Sequence, residues 1–86
     1  MDLFHALSDE DGRLSSLETK LAQFALANVD FVVNSSISDL AERAGVSPPT
    51  VTRFCRRLGC QGYSDFKVQL AKMAYVGLRY LKPEAP

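Results

Sequence analysis

Apolar positions recur at helical spacing along most of the chain, in blocks separated by capping and helix-breaking residues. Leu3, Phe4 and Leu7 suggest a short helix before the polar run Ser8-Asp9-Glu10-Asp11-Gly12. Ser15 followed by Glu18 makes a capping box, so a second helix starts there. Leu17, Leu21, Phe24, Ala25 and Asn28 fall on one face of that helix, with Lys20 and Gln23 off it. Val29 to Val33 form an apolar connection sized for one helical turn, and Phe31-Val32-Val33 is too short to found a sheet. The pattern predicts an all-α domain.

The segment 36–59 is the most sharply punctuated. Ser36 is a capping residue, and Ile37, Leu40, Ala41 and Ala44 share a face before Gly45 breaks the helix. Ser47 can cap a new helix, with Pro48 and Pro49 in its first turn, where missing N–H donors are tolerated. Val51, Phe54, Cys55 and Leu58 give the inward face, and Gly59 stops the helix. Two short helices joined by a glycine turn make a helix-turn-helix arrangement, although an ordinary helical hairpin would share the apolar pattern.

The outward face separates these readings. At about 100° per residue, Pro49, Arg53 and Arg56 point away from the apolar centre, with Thr50, Thr52 and Arg57 on the flanks. No acidic residue lies between Arg43 and Gln61, whereas a merely solvated helix usually mixes signs. Arginine grips guanine through two parallel hydrogen bonds, and a threonine methyl meets a thymine methyl. The N-terminus capped by Ser47 is expected to hold a phosphate through free N–H groups.

After Gly59, Ser64 is expected to cap a last helix running from Asp65 towards Lys82. Gly62, Tyr63 and Lys67 would lie near the end of the recognition helix, in reach of the sugar-phosphate backbone. Tyr63 fits a core position equally well. The last helix carries Phe66, Leu70, Met73 and Ala74 on one side and Ala71, Tyr75 and Leu78 on another, more than one small core needs. The excess is expected to seat a second copy of the chain or a further domain.

Charge sharpens the picture. Ten basic and ten acidic side chains cancel over 86 residues, which taken alone argues against a nucleic-acid binder. The two signs are segregated, however. Residues 1–42 hold Arg13 and Lys20 against eight carboxylates, and residues 43–82 hold eight basic side chains against Asp65 alone. The basic segment contains the helix-turn-helix, which favours an anionic partner.

Other chemistry is thinly represented. His5 is the only histidine, no serine or cysteine has a visible base partner, and no glycine-rich phosphate loop occurs. Cys55 and Cys60 with one distant histidine do not make a zinc site, so no metal, cofactor or enzymatic activity is expected. Cys55 reads as a buried thiol. The start Met1-Asp2-Leu3-Phe4-His5 lacks the pattern of a signal peptide, and no apolar run suits a membrane span, so a cytoplasmic protein is expected.

Three runs together closely resemble the N-terminal domain of RpiR-type bacterial transcription regulators. They are Leu40-Ala41-Glu42-Arg43-Ala44-Gly45-Val46-Ser47, Thr50-Val51-Thr52-Arg53-Phe54-Cys55-Arg56-Arg57-Leu58-Gly59 and Gly62-Tyr63-Ser64-Asp65-Phe66-Lys67. With Leu14, Glu18, Lys20 and Ala22 the likeness covers roughly residues 14–74. Pro48 and Pro49 depart from the polar or acidic pair usual after the serine. The resemblance implies a compact five-helix domain that binds duplex DNA, here over residues 1–82 with 83–86 opening a linker or disordered end. It also implies dimers, carbohydrate genes as targets, and a C-terminal sugar-isomerase-like domain sensing a phosphosugar. That domain is absent from these residues, and the chain is expected to be part of a longer protein. Ser47, Pro49, Thr50, Thr52, Arg53, Arg56, Arg57, Tyr63 and Lys67 are the expected DNA contacts, with a homodimer formed through the last helix. The alternative is a helical protein-interaction module without intrinsic DNA binding.

Overall fold

The computed structural model describes residues 3–9 and 11–81, with side chains described to residue 74; the expected linker at 83–86 lies outside them. All regular structure among these residues is helical: α1 (Leu3–Ser8), α2 (Ser16–Ala27), α3 (Val29–Val33), α4 (Ile37–Ala44), α5 (Pro48–Arg57) and α6 (Tyr63–Leu81). The described helices number six rather than five because the Val29–Val33 connection closes into a helix of its own.

Local signals set most helix ends. Asp9 ends α1 in a left-handed conformation (φ 55°), and its carboxylate accepts the Arg13 N–H at 2.7 Å and the Leu14 N–H at 3.2 Å. The acidic loop is thereby turned back towards α2. There the capping box closes as its sequence predicts: Ser15 Oγ accepts the Glu18 N–H, and Glu18 Oε1 accepts the Ser15 N–H.

The inward face of α2 differs from the expected stripe. Leu21, Ala22 and Ala25 are buried, while Leu17 stays 45% exposed in the opening turn. Asn28 is exposed because its amide Nδ2–H donates to the Phe24 carbonyl at the helix end instead of facing the core.

The start of α6 also shifts. Ser64 does not cap it; the helix begins at Tyr63, and the Gly62 carbonyl accepts the Phe66 N–H. The Asp65 carboxylate reaches back to accept the Gln61 N–H at 2.8 Å, which ties the turn before the helix to its first turn. That bond, followed by one from Gln69, holds the Asp65 carboxyl below its ordinary pKa.

These helices close on one core containing Val32, Leu40, Val51, Phe54, Leu58, Phe66 and Leu70. The Phe54 and Phe66 rings meet edge-on at 6.0 Å, joining α5 to α6. On the other side, α3 packs on α6 through a polar junction. Tyr63 Oη–H is shared between the carbonyls of Val32 (3.1 Å) and buried Ser35 (3.0 Å), and Lys67 Nζ donates to the same Ser35 carbonyl at 3.1 Å. The effect is to seat α6 against α3 and the inner side of α5, leaving the outer side of α5 uncovered.

Candidate nucleic-acid interface

The two helices of the motif are cut to length by their own residues. Ser36 Oγ accepts the Asp39 N–H at 3.1 Å to start α4. Gly45 ends it at φ 77°, and the Val46 N–H returns to the Ala41 carbonyl at 2.9 Å. That left-handed exit lets the chain reverse within three residues and start α5. Leu40 and Ala41 on α4 face Val51, Phe54 and Cys55 on α5, all buried. Gly59, at φ 99°, ends α5 in the same manner, with the Cys60 N–H on the Cys55 carbonyl.

With that face inward, the opposite face of α5 must point out. Pro49, Arg53, Arg56 and Arg57 are exposed, and Thr50 and Thr52 are half-buried beside them. The helical wheel read from the sequence is therefore the wheel that forms. Arg53 and Arg56 make no ion pair with a carboxylate among the described residues. Their charge stays available to an anion.

Several of these side chains are already oriented. Ser47 Oγ accepts the Thr50 N–H at 3.4 Å and lies 2.9 Å from Thr50 Oγ1, which accepts from Arg53 Nη2 at 3.3 Å. This short relay runs along the outer edge of the first turn and ends on the Arg53 guanidinium. Arg56 Nε donates to the Gln61 carbonyl at 3.3 Å, while Asp65 takes the Gln61 N–H, so the turn after α5 is held on both sides of one residue.

The start of α5 does not form the phosphate site expected of it. The N-terminus of α5 has no set of free backbone donors for a phosphate. Proline carries no N–H at Pro48 or Pro49, and the Thr50 N–H is engaged by Ser47. The polar groups that remain at this end are hydroxyls and the Arg53 guanidinium.

The other expected contacts are engaged within the protein. Arg57 Nε pairs with Glu18 Oε2 at 2.9 Å, Tyr63 Oη–H serves the α3–α6 junction, and Lys67 sits 5.0 Å above the Tyr63 ring while bonded to Ser35. Lys67 retains further N–H donors beyond that bond. Burial raises the Tyr63 hydroxyl pKa, as a structural donor requires. Glu18 does more than cap α2. Burial alone would raise its pKa, but the Ser15 N–H and then Arg57 outweigh that and lower it, so the carboxylate is charged at neutral pH.

Neither cysteine joins this surface. Cys55 and Cys60 are free and buried, and burial pushes the Cys55 thiol up to about 12. Among the described residues no group of three or more His, Cys, Asp or Glu is placed to hold a metal, and no helix is long and apolar enough to cross a membrane.

Comparison with known proteins adds the family. The bifunctional protein glk of Paraburkholderia xenovorans is 45% identical over 69 residues, which is 80% of this chain but 11% of that protein. The HTH-type transcriptional regulator HexR of Escherichia coli is 38% identical over 81 residues, 94% of this chain and 28% of the regulator. HexR of Pseudomonas aeruginosa is 36% identical over 80 residues, again 28% of its length. The chain thus spans only a minor part of each relative. Residues 1–75 match the helix-turn-helix domain of the rpiR family, and the chain belongs to that family.

Proposed function

We propose that residues 1–82 form one DNA-binding unit of a cytoplasmic, non-enzymatic transcription regulator, in which α5 reads duplex DNA from the major groove. The observation that carries this reading is the outer face of α5: exposed Arg53 and Arg56 with no carboxylate partner among the described residues, flanked by threonines, on a helix whose other face is fully buried. Arg53 is the base-reading side chain, held by the relay through Thr50 from Ser47. Pro49 and Thr52 offer apolar contact to thymine methyls, and Arg56 and Arg57 take phosphates. Tyr63 and Lys67 support the far end of the site, Lys67 through its remaining donors.

The HexR relatives, transcriptional regulators by name, support a domain used to regulate genes. Following the resemblance, the targets are carbohydrate genes and a phosphosugar-sensing domain lies elsewhere in the protein. Homodimers form through α6, whose Val68 and Ala71 remain exposed, and pairing sets two recognition helices on two half-sites.

Selection from a random duplex pool, followed by Kd measurements over a range of salt, tests the reading. Enrichment of a consensus, with affinity falling steeply as salt rises, is expected. No enrichment and no salt-sensitive binding would instead favour a protein-interaction module.

A further inference from the structure

Glu18 lies 39 residues before Arg57 in the chain, at the start of a helix outside the helix-turn-helix, yet its carboxylate reaches the end of α5. Both of its oxygens are committed. Oε1 accepts the Ser15 N–H at 2.9 Å, and Oε2 accepts Arg57 Nε at 2.9 Å. The pair is lopsided in exposure: the Glu18 side chain is 13% exposed and that of Arg57 is 55% exposed. The acid is therefore behind and the guanidinium in front.

A guanidinium is a planar fork, so fixing Nε and its partner fixes the plane and the direction of the two Nη groups. Those groups are the ones that grip a phosphate in a two-point contact. Among the described residues, the other charged neighbours do not replace Glu18. Arg57 borders a cavity of about 250 Å³ shared with His5, Asp9, Asp11 and Arg13. Within it, Asp9 is tied to the backbone N–H groups of Arg13 and Leu14, and Asp11 lies 4.0 Å from His5.

We propose that Glu18 is a positioning residue for DNA binding: it holds Arg57 by Nε so that its Nη groups face a phosphate beside the end of α5. The inference rests on the reading that α5 binds duplex DNA. It assigns to α2, through its capping box, a share in aiming the recognition surface. The opposite role is physically distinct. A carboxylate that merely competes with phosphate for Arg57 would weaken binding, and removing it would strengthen binding.

The test uses the selected duplex, with Kd measured over salt and a thermal melt for each protein: wild type, Glu18→Gln, Arg57→Ala and the double variant. Glutamine keeps an acceptor for the Ser15 N–H but not the charge that holds Nε. Arg57→Ala is expected to reduce the log–log salt slope by about 0.9, the loss of one phosphate contact. Glu18→Gln is expected to weaken binding about two- to tenfold, the cost of immobilising a freed long side chain, with the slope retained. In the Arg57→Ala background it is expected to change nothing further.

Tighter binding by Glu18→Gln would overturn the proposal, as would an equal loss in both backgrounds, which marks a cap and nothing more. An unchanged slope in Arg57→Ala, with the wild type still binding, would overturn it while leaving the DNA reading intact. No salt-sensitive duplex binding by the wild type would overturn both. Arg57→Lys gives a second route if Glu18→Gln melts too low. It keeps the charge and the slope but has no Nε to hold, so a similar two- to tenfold loss is expected, and wild-type affinity would overturn the proposal.

Discussion

Removing the Tyr63 hydroxyl tests the junction that seats α6 behind the helix-turn-helix, and the structure fixes how much should be lost. In Tyr63→Phe the Val32 carbonyl keeps Ser35 Oγ–H at 3.1 Å, and the Ser35 carbonyl keeps Lys67 Nζ at 3.1 Å. No buried acceptor is orphaned, so the cost is that of one ordinary hydrogen bond, about 1 kcal/mol. Lys67→Met keeps most of the stem and leaves the Ser35 carbonyl bonded to Tyr63, for a loss of about 1 kcal/mol or less. The double variant removes both Tyr63 Oη–H and Lys67 Nζ from the Ser35 carbonyl, whose residue is only 5% exposed. An unsatisfied buried acceptor adds about 1–3 kcal/mol, bringing the double loss to about 3–5 kcal/mol. Urea unfolding of the four proteins, at unchanged m-value, measures the coupling. Each single variant should also lower Tm by about 4–8 °C per kcal/mol. Additivity within about 0.5 kcal/mol would refute the shared-carbonyl account.

Two further outcomes follow from the turn and the buried face of the helix-turn-helix. Gly45→Ala should cost about 1–2 kcal/mol in thermal or urea unfolding, from the left-handed backbone alone, because a Cβ there meets nothing within 4 Å. Gly45→Asn should lose less, and equal losses would point to a clash instead. Cys55, with its thiol pushed up to about 12, should be alkylated at pH 8 only as fast as the protein unfolds; mass spectrometry showing rapid labelling of the folded protein would contradict that burial.

What was legible in the sequence was whatever neighbouring residues decide between themselves. Ser15 with Glu18, Ser36, Ser47 with two prolines, and the glycines at 45 and 59 are local signals, and each sets a helix end as expected. The outward face of α5 was legible for the same reason, since one helical period places Arg53 and Arg56 opposite Val51 and Leu58. Contacts across the fold were not. Glu18 with Arg57 and Tyr63 with Ser35 join residues 39 and 28 positions apart, and no periodicity carries that information. Local signals also fail where the surrounding fold overrides them. The helix begins at Tyr63, ahead of the Ser64 cap, and Ala22 is buried while Leu17 stays exposed. The missing phosphate donors at Pro48 and Pro49 could have been read from proline chemistry, because neither residue has an N–H to offer.

The central claim is that the outer face of α5 reads DNA, and Arg53→Ala tests it most directly. Affinity for the selected duplex and for a scrambled one should be measured side by side at one salt concentration. Loss of a two-point base contact is expected to lower affinity for the selected duplex by about 1–3 kcal/mol and to leave the scrambled duplex nearly unaffected, collapsing the ratio between them. An unchanged ratio, with both duplexes bound as tightly as by the wild type, would contradict the claim and put the DNA contact elsewhere on the protein.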